Sequence, residues 1–141
     1  MQLVVLGLNH KTVPVDIREQ FAISPDSARS GLIHLDEQEG IEEAVVLSTC
    51  NRTEIYAVLK DETAKEILYD FFLALSGNSE AKDEYFFYFE GEACIRHLFE
   101  VVSGLDSMVI GESQILNQIK TAYTMALEEK ATRTILNTLF H

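Results

Sequence analysis

Val45-Val46-Leu47-Ser48-Thr49-Cys50-Asn51-Arg52-Thr53-Glu54-Ile55-Tyr56 sets the topology of this chain. A β-branched apolar run enters a group of small polar residues, and a second strand-like run, 55–59, leaves it. Two such runs across a few polar residues predict a hairpin. Cys50 then stands at a loop tip carried by rigid strands, a frequent place for catalytic side chains. Thr49 and Asn51 offer hydroxyl and amide hydrogen bonds, and Arg52 adds a fixed cation. A neighbouring cation favours thiolate, the nucleophilic form of cysteine. The same position equally suits a small hydrophobe buried at a strand end, since unpaired cysteines are among the most buried residue types.

Outward from the hairpin, the pattern on each side is a strand and a helix. A strand is predicted over 3–8, then a loop over 9–14, where Pro14 disfavours helix before it. A short helical turn over 16–21 follows. Ser24-Pro25-Asp26 is a helix start: a capping hydroxyl, proline at the first helical position and an acid in the first turn. That helix carries Ala28, Leu32 and Leu35 on one face and should stop near Gly40. The hairpin strands are expected over 44–48 and 53–59. Asp61 caps a helix in which Ala64, Ile67, Leu68, Phe71, Phe72 and Leu75 follow helical spacing, with Gly77-Asn78 ending it. The aromatic run 84–89 predicts a strand closing the sheet. With no lysine or arginine interleaved, it reads as sheet core and not as a surface for stacking nucleobases. Three helices follow, over 91–103, 112–130 and 133 onward. The order βαββαβ is the ferredoxin-like split βαβ arrangement, an α+β fold with an antiparallel sheet and added C-terminal helices.

Composition narrows the function classes. The 141 residues, 47% hydrophobic and 24% charged, suit one globular domain. No apolar stretch approaches the roughly 18 residues of a membrane span, and the N-terminal apolar run reads as a first strand rather than a signal peptide. Two cysteines make no disulfide framework, so a reducing cytoplasm is the expected location. The net charge of −12 argues against a domain that grips the body of a nucleic acid by itself. No Gly-x-Gly-x-x-Gly follows a strand, and no histidine or cysteine spacing suits a metal, so neither is expected in this chain. Cys94, among Ile95, Leu98 and Phe99, reads as a core thiol. His97 on its predicted helix fits packing or proton transfer. Gln114, Gln118 and Thr121 share one helical face, opposite Ile115, Ile119, Ala122 and Ala126; the polar face suits solvent or a pocket wall.

Three stretches together resemble one family. Ser48-Thr49-Cys50-Asn51-Arg52-Thr53-Glu54 is similar to the catalytic-cysteine motif of glutamyl-tRNA reductases, which open the C5 route to tetrapyrroles. Gly7-Leu8-Asn9-His10-Lys11-Thr12-Val13-Pro14-Val15, with Ile17-Arg18-Glu19 after it, resembles the family's N-terminal signature. His97-Leu98-Phe99 with the run 103–116 resembles its longest one. The resemblance implies the catalytic domain over 1–141, with the same ferredoxin-like fold; the family's NADPH-binding and dimerisation domains would lie outside this chain. It implies that Cys50 attacks the aminoacyl ester of glutamyl-tRNA to form a thioester. NADPH, held by the other domain, would reduce this to glutamate-1-semialdehyde. His97 would assist catalysis, Thr49 and Asn51 would steady the oxyanion, and Arg52 would pair with the substrate carboxylate. Ser107, Glu112, Ser113, Gln114 and Gln118 match substrate-contacting positions, although many members have proline where Ser113 stands. Implied partners are the aminoacyl end of glutamyl-tRNA, a second copy in a homodimer and the downstream semialdehyde aminomutase, with no membrane and no metal. A cysteine hydrolase or acyltransferase, or a non-catalytic regulatory module, remains open on the residues alone.

Overall fold

The computed structural model describes residues 1–76, 83–103 and 114–140. The chain runs β1 (Gln2–Asn9), α1 (Val15–Gln20), α2 (Pro25–Glu37), β2 (Ile41–Ser48), β3 (Arg52–Leu59), α3 (Lys65–Ser76), β4 (Phe87–Glu90), α4 (Glu92–Val102), α5 (Gln114–Glu128) and α6 (Thr134–Phe140). The four strands form one sheet in the order β2-β3-β1-β4, each neighbour antiparallel. This is the α+β ferredoxin-like sheet expected from the sequence. Short 3₁₀ turns precede α3 at Glu62–Ala64 and β4 at Asp83–Tyr85.

Alternation along β3 sorts the core into two layers. Arg52, Glu54 and Tyr56 share a face with their cross-strand partners Asn9, Gly7 and Val5. That face is covered by α4, whose His97 meets Glu54, and by α6, whose Phe140 lies edge-on to Tyr56 at 5.3 Å. Thr53, Ile55 and Ala57 point the other way, where the Thr53 hydroxyl donates to Phe21 O at 3.1 Å. On this side Phe21, Phe72 and Phe86 pack together, with ring centroids 5.2 to 6.3 Å apart. Ser24 caps α2 as expected, its hydroxyl accepting from Ser27 N at 3.2 Å. Such a cap is worth about 1 kcal/mol. The buried Leu32 and Leu35 each contribute roughly 1.5–3 kcal/mol, so packing holds α2 in place and the cap only defines its start.

Two expectations are corrected. The strand expected over 84–89 is Phe87–Glu90, because Asp83–Tyr85 winds into a 3₁₀ turn and Phe86 leaves the sheet for the aromatic cluster under α3. α5 closes at Glu128, where Lys130 takes the left-handed conformation, φ 58, and Ala131 N donates back to Ala126 O at 2.9 Å. The expected α3 stop at Gly77-Asn78 lies outside the described residues. Beyond α5 the chain crosses to the edge strand β2. There the buried Glu43 accepts the amides of Arg133 and Leu136 at 2.5 and 2.9 Å, which caps α6 from a neighbouring element.

Candidate active site

The hairpin turn between β2 and β3 is tightly tied down. Thr49 N donates to Arg52 O at 2.8 Å, and Asn51 N donates to the Thr49 hydroxyl at 3.1 Å. His10 N donates to Asn51 O at 3.0 Å, fastening the turn to the loop after β1. Ser48, at the end of β2, accepts from Ile23 N at 3.0 Å and lies 3.3 Å from the Thr53 hydroxyl. On this anchored turn Cys50 is exposed and carries no disulfide. Cys94 is the opposite: buried inside α4, its thiol is pushed up to about 12 by burial and then by the Glu54 carboxylate. The core reading of Cys94 therefore holds.

Beneath the turn lies a buried polar network that the linear sequence does not display. Glu54 Oε2 receives Arg52 Nη1 at 3.1 Å and lies 2.6 Å from His97 Nε2; Oε1 receives the Tyr56 hydroxyl at 2.9 Å. All four side chains are buried. Burial raises the Tyr56 pKa well above the usual tyrosine value, with Glu54 adding to it, so the phenol stays protonated and donates. A carboxylate oxygen accepts and does not donate. His97 Nε2 is then the donor of its bond, which fixes the imidazole's orientation. Phe87 and Phe89 hold the ring from one side at centroid distances of 4.7 and 5.2 Å. Gly7 makes the space: a Cβ there would lie 2.7 Å from Thr53 O and 2.9 Å from Glu54 Cγ.

The residues singled out in the sequence fall into four groups. Thr49, Cys50 and Asn51 form the turn. Arg52, read from the sequence as a cation beside the thiol, belongs to the strand and turns into the core, where Glu54 answers its charge; His97 meets it there. Gln118 is half-buried and lines a cavity of about 420 Å3 with Ser48, Ile23 and Met125, between α2, β2 and α5. Ser107, Glu112 and Ser113 lie outside the described residues, as does the Gln114 side chain, although Gln114 opens α5. Glu54 and Tyr56 received no role in the sequence reading. The available signal was the period of two in Arg52, Glu54 and Tyr56 along a strand whose other face is apolar beyond Thr53. Among the described residues no three of His, Cys, Asp and Glu come together as metal ligands would.

Comparison with known proteins bears on this arrangement. Residues 6–141 match the family model described as the N-terminal domain of glutamyl-tRNA(Glu) reductase. The chain is 46% identical over 144 residues to glutamyl-tRNA reductase of Rubrobacter xylanophilus, covering all of this chain and 33% of that protein. It is 48% identical over 142 residues to the Exiguobacterium enzyme, covering 99% of this chain and 32% of the relative. The solved glutamyl-tRNA reductase of Methanopyrus kandleri superposes with a TM-score of 0.77 at 31% identity, over 98% of this chain and 31% of that one. The chain thus spans about a third of the length of these relatives. An exposed thiol on a pinned hairpin, above a buried imidazole–carboxylate pair, occurs here in a chain that belongs to the glutamyl-tRNA reductase N-terminal domain family.

Proposed function

We propose that this domain accepts the glutamyl group from glutamyl-tRNA onto Cys50. The Cys50 thiolate attacks the ester carbonyl carbon, forming the C–S bond. Collapse of the tetrahedral adduct breaks the C–O bond to the ribose, and the leaving oxygen takes a proton, giving a thioester and free tRNA. Thr49 N and Asn51 N are committed within the turn, so oxyanion stabilisation falls to the Cys50 amide and the Thr49 and Asn51 side chains. His97, oriented by Glu54, is the proton-transfer group, and Arg52, buried against Glu54 below the turn, is the cation we assign to the substrate's side-chain carboxylate. Ser107, Glu112, Ser113, Gln114 and Gln118 complete the substrate contacts in this reading.

Reduction would belong to the complete protein: NADPH held by another domain would supply hydride to the thioester carbon, with the C–S bond breaking and Cys50 leaving as thiolate. The product is glutamate-1-semialdehyde, a precursor of tetrapyrroles. Dimerisation with a second copy and delivery of the aldehyde to the aminomutase that consumes it fit this reading, because a free α-amino aldehyde is reactive. A cytoplasmic setting fits too; no helix among the described residues is long and apolar enough to cross a membrane.

The observation that carries the reading is the contrast between the two thiols, one exposed on an anchored turn and the other buried. The test is single-turnover transfer from glutamyl-tRNA labelled in the glutamyl group. Label should become bound through a hydroxylamine-sensitive bond in the wild type and Cys94→Ala, and not in Cys50→Ser. Label on Cys94, or none on either thiol, would sink the proposal.

A further inference from the structure

The buried network holds one side chain that the acyl-transfer reading leaves without a role, Tyr56. Its ring stands on the interior strand β3, opposite Val5 and Val45, with Phe140 of α6 edge-on at 5.3 Å. The side chain is wholly buried, and its hydroxyl donates to Glu54 Oε1 at 2.9 Å. The other oxygen, Oε2, takes Arg52 Nη1 at 3.1 Å and lies 2.6 Å from His97 Nε2. A glutamate carboxylate has no sharp preference about its last bond, because that torsion is broad and roughly two-fold. Its plane is therefore set by its donors, and at Oε1 the donor is Tyr56. Without the hydroxyl, a buried carboxylate oxygen loses its partner; turning the group to find another carries Oε2 away from His97.

The consequence falls on the imidazole. Nε2 is committed to Glu54 as a donor, so Nδ1 is the nitrogen left to exchange a proton. Phe87 and Phe89 limit how the ring can tilt, but two apolar rings cannot choose between its nitrogens. His97 also lines a cavity of about 350 Å3 between β4, α4 and the loop after β1, together with Lys11, Phe87, Phe89 and Arg96. The ring is thus held from the sheet and opens on the cavity. We propose that Tyr56 is a positioning residue for proton transfer: its hydroxyl fixes the Glu54 carboxylate, which holds His97 with the proton on Nε2 and Nδ1 as the accepting nitrogen. Burial, and after it the Glu54 charge, raises the Tyr56 pKa, so the phenol keeps its proton and stays a donor. The inference deepens the acyl-transfer reading and rests on it for the role of His97.

The tautomer is read first on the wild-type chain, by heteronuclear NMR of its histidine rings, with His97→Gln assigning the signal. The His97 ring should carry its proton on Nε2, in a downfield and slowly exchanging N–H. A ring with its proton on Nδ1 alone overturns the proposal before any Tyr56 variant is made. Tyr56→Phe removes one oxygen and keeps the ring, so the N–H signal should move upfield and exchange faster. Cys50 acylation by glutamyl-tRNA should slow roughly tenfold at unchanged half-saturation, because the loss is in proton transfer and not in binding. Phe72→Leu, in the aromatic cluster on the opposite face of the sheet, should lower Tm yet leave the signal and the rate as they are. An unmoved His97 signal in Tyr56→Phe overturns the proposal, as does an equal shift in Phe72→Leu. A moved signal with full acylation rate, where His97→Gln is slow, overturns the role in proton transfer. Full acylation rate in His97→Gln counts against His97 in the acyl-transfer reading, while the tautomer spectra still decide whether Tyr56 holds the ring.

Discussion

Glu54 is the residue on which the buried side of the site depends, because one carboxylate meets Arg52, His97 and Tyr56 together. Glu54→Gln keeps the shape and removes the counter-charge, leaving a guanidinium buried without its anion. Breaking such a pair costs about 3–5 kcal/mol, so a clear fall in Tm is expected in calorimetry, together with slower Cys50 acylation. Arg52→Lys asks a different question. It keeps a charge for Glu54 and loses the planar fork, so acylation should fall roughly tenfold if about 1.4 kcal/mol of charge-assisted bonding to the substrate is lost. Discrimination against glutaminyl-tRNA should fall with it. Unchanged selectivity would leave Arg52 as the partner of Glu54 alone. Cys94 sets a pH dependence. Its thiol is pushed up to about 12 in the fold, from an ordinary 9.0, so the unfolded chain releases this proton first. Above about pH 9 the folded state holds more protons, and stability is lost as pH rises toward 12, by up to about 1.4 kcal/mol per pH unit. Tyr56, raised in the same direction, adds to the loss. Urea midpoints measured from pH 8 to 11 should fall less steeply in Cys94→Ala; an unchanged slope would remove Cys94 as a cause.

At the scale of elements, the helix ends are where local rules were broken and repaired. α5 ends in a left-handed residue, as helices commonly do, but the residue is Lys130 and not glycine. A side chain in that conformation costs about 1–2 kcal/mol, so Lys130→Gly should raise Tm by a few degrees, less glycine's entropy cost in the unfolded chain. A lowered Tm would mean that the lysine stem packs usefully. α6 is too short to persist alone and takes its N-terminal cap from Glu43 on β2. That cap was invisible in sequence because the donor and acceptor positions are 90 and 93 residues apart. The start of α2 was legible because Ser24 and Pro25 act within one turn. The start of β4 was hidden for the same reason as the α6 cap: Phe86 joins a cluster with Phe21 and Phe72, which only tertiary packing brings near.

For the whole molecule, the chain covers about a third of its relatives, and the functional expectation follows that division. Incubated with glutamyl-tRNA and NADPH, it should acylate Cys50 without consuming NADPH, since no dinucleotide fingerprint is present. Absorbance at 340 nm should stay flat while acyl-enzyme accumulates and slowly hydrolyses. Steady NADPH oxidation by this chain would overturn the division of labour. The βαββαβ order, the hairpin carrying Cys50, the family and the core position of Cys94 were all legible in the residues, because these depend on local spacing, turn chemistry and contiguous motifs. Packing of distant elements was needed to turn Arg52 inward to Glu54, to orient His97 from a strand 43 residues away, and to set Lys11 and Arg96 in one cavity with Phe87 and Phe89. Spacing along a chain sets which face a side chain takes, whereas its partner is set by the element that packing lays across that face.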